Sequence, residues 1–197
     1  MPTGIFSAQT EFDGYVCADL TDRMQSFADH WKTIGIRCDA IYTGYLASRS
    51  QAEFVKRFLI DFKKSDTLCI VDPVMGDDGE LYSTYPPPMV DGMRALCKKA
   101  DIITPNITEA CMLTGMEFKT VYDEAYIQEL IAKLSGLGAK TIILTGVSYQ
   151  AGRTGVLVVE DGKQSYYEHH RIEKGCHGTG DIYASAFVGA LMRGKTA

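Results

Sequence analysis

Long apolar runs, basic clusters, paired cysteines and prolines are what this chain has little of, and each shortage removes a class of protein. No stretch approaches the roughly 20 apolar residues of a membrane span. The opening Met1-Pro2-Thr3-Gly4-Ile5-Phe6 has neither a basic region nor a long apolar core, so neither a membrane partner nor a secretory leader is expected. Lys and Arg number 20 against 25 Asp and Glu, for a net charge of -5. Without a basic run to neutralise phosphates, nucleic acid is excluded as the main partner, while a nucleotide bound one molecule at a time is not. The six cysteines show no CxxC pair and no Cys/His group with zinc spacing. Most lie in apolar runs such as Thr67-Leu68-Cys69-Ile70-Val71 and read as free thiols of a reducing, cytoplasmic compartment. With only 6 prolines, 46% hydrophobic and 23% charged residues, nothing reads as disordered, and 197 residues suit a single domain.

What is there reads as alternating strands and helices. Thr3 to Val16 lacks a period and is expected to be a loop or short edge strand. From Asp19 to Thr33, Leu20, Met24, Phe27, Trp31 and Ile34 recur at helical spacing until Gly35. Asp39 to Tyr45 predicts a buried strand running into a loop. Ser50-Gln51-Ala52-Glu53 has capping-box spacing and opens an amphipathic helix to about Lys64. Thr67 to Val71 is a continuous apolar run, as in a strand covered on both faces, and ends in the acidic loop Asp72 to Gly79. A helix follows Pro86-Pro87-Pro88 with Met89, Met93, Leu96 and Cys97 inward. Then come a strand at Asp101 to Thr104, a short helix opened by Pro105 to Glu109 and ending near Gly115, a helix from Tyr122 to Leu137 and a strand from Thr141 to Thr145. Such a series with right-handed crossovers gives a mostly parallel sheet covered by helices on both faces. Asp161-Gly162, between Gly155–Glu160 and Lys163–Glu168, signals an antiparallel hairpin at the sheet edge.

Ligands of open α/β sheets bind at the carboxyl ends of the strands, and the polar residues there form one group of candidates. They are Thr43, Gly44 and Tyr45, then Asp72, Asp77 and Asp78, then Thr104, Asn106 and Glu109, then Thr145 and Gly146, and finally Gly178 to Asp181. Carboxylates and hydroxyls from separate loops, beside glycines at a helix start, fit magnesium bridging a polyphosphate, with one carboxylate left to accept a proton. Each residue also has a structural alternative. Asp72-Pro73 and Asp77-Asp78-Gly79 are standard turn formers, Asn106 suits an N-cap, Glu109 and Asp181 suit the first turn of a helix, and His177 suits a solvated loop.

Gly178-Thr179-Gly180-Asp181 resembles the signature of the ribokinase superfamily, and Asn106-Ile107-Thr108-Glu109 resembles its N-x-x-E motif. Val71-Asp72-Pro73-Val74-Met75-Gly76-Asp77, Tyr82, Ile103-Thr104-Pro105-Asn106, Tyr42-Thr43-Gly44-Tyr45 and His177 look like the pyridoxal kinases in particular. The resemblance implies a three-layer ribokinase-like α/β fold and ATP-dependent phosphorylation of the 5′-hydroxymethyl group of pyridoxal. It implies Asp181 as general base beside an anion hole at Gly178, Thr179 and Gly180. Asp72 and Glu109 would hold Mg2+, and Tyr82, Thr104, Asn106, Thr145 and Gly146 would contact ATP phosphates or a monovalent K+. Thr10 and Tyr45 would face the pyridine ring. A homodimer is implied as well. The family's patterns also extend before Met1 and after Ala197, so the chain is expected to be an incomplete kinase domain. Hydroxymethylpyrimidine kinases, of the same superfamily, are the alternative enzyme, and a non-catalytic binder of pyridoxal or nucleotide is the alternative outside catalysis.

Overall fold

The chain opens on two three-residue strands, β1 (Gly4–Phe6) and β2 (Cys17–Asp19), which pair antiparallel before α1 (Thr21–Thr33). The computed structural model describes residues 1–8, 10, 12–83, 85, 87–172 and 178–197. There follow β3 (Ala40–Thr43), α2 (Arg49–Phe62), β4 (Leu68–Val71), a hairpin of β5 (Gly76–Asp77) and β6 (Glu80–Leu81), α3 (Met89–Cys97), β7 (Ile102–Ile103), α4 (Ile107–Thr114) and α5 (Glu124–Ser135). The last elements are β8 (Thr141–Val147), β9 (Arg153–Glu160), β10 (Lys163–His170) and α6 (Thr179–Leu191).

Six strands form one sheet in the order β10-β9-β8-β7-β4-β3. The neighbours β3, β4, β7 and β8 run parallel, and β9 and β10 are added antiparallel. The expected architecture is therefore present, with the Asp161-Gly162 hairpin at one edge. Side-chain alternation sorts the strands onto two faces. Ile41, Cys69, Val71, Ile103, Ile142 and Leu144 join one cluster with buried residues of α1 to α5. Ile70, Ile102 and Ile143 point the other way and meet Tyr183, Phe187, Val188 and Leu191 of α6. Among the described residues, five helices thus cover one face and α6 covers the other. A continuous apolar run in β4 follows from this, because Cys69, Ile70 and Val71 are all fully buried.

Several local expectations change. Asp19 ends β2 rather than opening a helix, and Ile34 at the far end of α1 is 56% exposed. The cap of α2 is Ser48, whose hydroxyl accepts from Gln51 N–H at 3.3 Å, two residues before the expected Ser50. The acidic loop is a tight hairpin turning at Asp78 and Gly79, both at positive φ (49° and 84°), as a two-residue turn with right-handed flanking strands requires. β8 continues past Thr145 through a bulge at Gly146, whose φ of 76° favours glycine.

Candidate active site

Because β3, β4, β7 and β8 are parallel, their carboxyl ends meet at one edge of the sheet. Backbone bonds continue the ladder past the strands: Asp72 N–H donates to Thr43 O at 2.8 Å, Thr104 N–H to Val71 O at 3.1 Å, and Thr145 N–H to Pro105 O at 2.9 Å. Thr43, Asp72 and Thr104 are therefore neighbours, and all three are buried. Asp72 Oδ2 accepts from the Tyr42 hydroxyl at 2.9 Å. Burial pushes the Asp72 carboxyl up to about 6, against the help of the Tyr42 bond and with the negative charge of Asp181 adding to the rise. Thr104 stands near enough to favour the charged carboxylate, yet its Oγ1 makes no hydrogen bond of normal geometry, and neither does Thr43 Oγ1. Tyr42 was not among the expected site residues. Its phenol is held protonated first by burial and then by the charge of Asp72. Strand alternation puts Tyr42 on the face of β3 that α6 covers, but only the pairing of β3 with β4 brings it to Asp72.

α4 begins at the same edge with its donors satisfied. Asn106 Oδ1 accepts from Glu109 N–H at 2.8 Å, while Glu109 Oε2 accepts from Asn106 N–H at 2.9 Å, a complete capping box. Glu109 Oε1 accepts from Met75 N–H at 3.0 Å, Asn106 Nδ2 donates to Gly76 O at 2.8 Å, and Thr108 Oγ1 accepts from Gly79 N–H at 2.9 Å. The start of α4 thereby fastens the β5–β6 turn. Glu109 is buried, and burial followed by the charge of Asp72 raises its carboxyl well above the usual range. Both its oxygens already accept a backbone N–H, so the structural reading of Asn106 and Glu109 is present in the geometry alongside any ligand role. Tyr82, 40% exposed, has its hydroxyl pushed up to about 12 by burial and then by Asp77, Glu109, Asp72 and Asp181.

α6 starts differently. Its N-cap Gly178 has φ 87° and offers no side-chain cap, and the first helical bond runs from Ile182 N–H to Gly178 O at 3.1 Å. The N–H groups of Thr179, Gly180 and Asp181 thus lie in the first turn, where no intrahelical partner exists. Gly178 to Asp181 are exposed. Gly175, Cys176 and His177 lie outside the described residues. Tyr42, Asp72 and Tyr82 all feel the charge of Asp181, which puts this helix start on the side of the edge where Asp72 lies.

Thr145 Oγ1 faces Pro105 O at 3.4 Å, and Gly146 is exposed beside it. Tyr45 packs edge-on against Phe6 (5.6 Å between centroids) and Tyr85 (5.9 Å), at the side of the edge where the β1–β2 hairpin lies. Thr10 is exposed in the loop of that hairpin. The edge therefore gathers Asp72, Thr104, Asn106, Glu109, Thr145 and Asp181, with Tyr45 to one side. Asp78, in contrast, is a turn residue whose N–H bonds the Asp77 side chain.

The carboxyl and hydroxyl oxygens of this edge are the donor type a hard cation takes, although among the described residues no three His, Cys, Asp or Glu side chains are grouped to hold an ion by themselves. Among the described residues, neither Asp72, Glu109 nor Asp181 pairs with a Lys or Arg. Burial, with neighbouring negative charge adding to it, drives two carboxyls upward, and the Thr104 hydroxyl, without a partner of normal geometry, stands near Asp72.

A profile of the family described as phosphomethylpyrimidine kinase matches residues 24–197. A pyridoxine/pyridoxal/pyridoxamine kinase of Bordetella avium is 32% identical over 164 residues, covering 80% of this chain and 54% of its own length. A hydroxymethylpyrimidine/phosphomethylpyrimidine kinase of Aquifex aeolicus is 32% identical over 161 residues, with 77% and 58% covered. In structure, a candidate phosphomethylpyrimidine kinase from Bacteroides thetaiotaomicron, crystallised with pyridoxal, is 36% identical with a TM-score of 0.91, over 99% of this chain and 70% of that one. The chain spans a little over half the length of both curated relatives. With the profile running from α1 to the C-terminus and the same fold in its structural neighbour, the chain belongs to the phosphomethylpyrimidine kinase family.

Proposed function

We propose that the chain carries the phosphoryl-transfer site of an ATP-dependent kinase that acts on the 5′-hydroxymethyl group of pyridoxal and related B6 vitamers. The observation that supports this most is the open start of α6, where three first-turn N–H groups and the exposed Asp181 carboxylate stand near enough to the buried Asp72 for their charges to interact. Asp181 takes the proton of the acceptor hydroxyl, whose oxygen attacks the γ-phosphorus as the bond to ADP breaks. The N–H groups of the Gly178, Thr179 and Gly180 turn stabilise the charge on the transferring group. Asp72 would hold Mg2+ through its free oxygen and Glu109 through water, and the ion would supply neutralising charge on the phosphate oxygens. Tyr82 covers the phosphates, Thr104, Thr145 and Gly146 line their path or a K+ beside it, and Asn106 shapes that path by fixing α4. Thr10 and Tyr45 stand on the pyridine side. The reading extends to residues 1–197 as part of a single kinase domain, to a homodimer and to a cytoplasmic setting.

The pyridoxal of the Bacteroides crystal favours this acceptor, and the family description together with the Aquifex relative favours hydroxymethylpyrimidine as the second reading. Transfer from Mg-ATP to each acceptor, measured side by side, decides between them. Faster transfer to pyridoxal is expected; exclusive transfer to hydroxymethylpyrimidine establishes the second reading, and ligand-induced heat stabilisation without any transfer leaves only a binder.

A further inference from the structure

Gln51 is a fully buried amide in the first turn of α2, inside the Ser50–Glu53 stretch whose spacing suggested a cap but gave its own side chain no role. A buried amide requires partners for its carbonyl and both N–H groups. Here Oε1 accepts from Ala47 N–H at 2.8 Å, which leaves Nε2 as the donor. That donor faces Thr3 O at 2.9 Å, Thr21 Oγ1 at 2.9 Å and Asp19 Oδ1 at 3.2 Å, so two hydrogens serve three acceptors. Thr3 precedes β1, Asp19 ends β2 and Thr21 begins α1. One side chain therefore grips both feet of the β1–β2 hairpin.

The described residues of the hairpin bury little apolar surface. All of Cys17–Asp19 is exposed, and Ile5, Phe12 and Val16 are 58%, 65% and 68% exposed. Among the described residues, Phe6 packs on the Tyr45 ring and Thr3 Oγ1 donates to Tyr45 O at 3.2 Å. α2, in contrast, is anchored by Ala52, Phe54, Val55, Phe58, Leu59 and Phe62 in the core.

We infer that Gln51 is a positioning residue, clamping the β1–β2 hairpin to the rigid helix α2 so that the hairpin walls the acceptor side of the site next to Tyr45. The inference rests on the proposed function for what the wall faces, but the clamp itself does not. Gln51→Met keeps the volume and removes both donors together with the carbonyl that accepts from Ala47 N–H. In the full chain it is expected to speed chymotryptic cleavage at Phe12 by at least about tenfold, the change that even a single lost buried hydrogen bond gives to a local opening. The KM for pyridoxal is expected to rise by about the same factor, while kcat and the KM for Mg-ATP change less than about twofold. Thr21→Val, which removes one of the three acceptors, shifts both readouts in the same direction by less, and Thr21→Ser restores the wild-type values. Unchanged cleavage at Phe12 in folded Gln51→Met, or equal changes in both KM values, overturns the clamp. If Gln51→Met does not fold, the Thr21 pair decides by the same criteria. If the wild-type chain phosphorylates no acceptor, the proposed function fails, and cleavage at Phe12 still decides whether Gln51 clamps the hairpin.

Discussion

Two helices start at the same edge of the sheet, and their first turns are built for opposite purposes. α4 satisfies its own donors: Asn106 and Glu109 bond each other's backbone, and what remains of them holds the β5–β6 turn. α6 leaves its donors open behind a glycine in the left-handed region. Both present a carboxylate at the third helical position, yet Glu109 is buried with both oxygens in use, whereas Asp181 is exposed. The contrast shows why an acidic residue at a helix start says little alone. Whether the backbone beneath it is capped decides whether the place serves the fold or a ligand.

The largest break in this comparison is expected at the open end. Asp181→Asn should lower turnover about 10²–10⁴-fold, the usual share of a general base. Because Asp181 is exposed, its unfolding free energy in urea should stay within about 0.5 kcal/mol of wild type. At the closed end the effects reverse in kind. Glu109→Ala leaves the N–H groups of Met75 and Asn106 without their partner, and a net loss of about 2 kcal/mol in urea unfolding is expected after relief of the buried charge.

Asp72 gives a pH test of comparable size. Its carboxyl is raised to about 6 in the folded chain from an ordinary value of 3.8, so folding favours the protonated form. The stability this contributes is fully present below about pH 4 and lost as the pH rises through 6. Asp72→Asn, which still accepts from Tyr42, should therefore stabilise the ligand-free chain at pH 8 by on the order of 1–2 kcal/mol. The gain should vanish near pH 4, while turnover falls. Equal gains at both pH values would remove burial of charge as the cause. The smallest effect is expected from Gly178→Ala, which meets no atom within 4 Å but must hold φ 87°. A cost of about 1 kcal/mol is expected, with turnover lowered more than stability alone explains.

Much of the fold was legible because the strands are short, apolar and separated by amphipathic helices. The run Thr67 to Val71 and the Asp161-Gly162 hairpin needed no tertiary information. Asp78-Gly79 carries the same turn dipeptide, yet the flanking strands are two residues long and mostly polar, so periodicity was silent. β2 was missed because its residues are all exposed and show no alternation between buried and solvent faces. The cap of α2 shifted from Ser50 to Ser48 because either serine satisfies the local pattern, and the burial of Gln51 chooses between them. Of the site, the residues at the strand ends were legible from topology alone. The Tyr42 bond to Asp72 and the double use of Glu109 were not, since both depend on which side chains face one another across elements far apart in the chain.

The central claim is that the start of α6 receives the phosphates and the start of α4 does not. Amide resonances followed while a non-hydrolysable ATP analogue is added with Mg2+ test it most directly. The account predicts large shifts at Thr179, Gly180 and Asp181, and small ones at Thr108 and Glu109, whose first turn is already capped. Saturable shifts confined to α4, with the α6 amides unmoved, would contradict it.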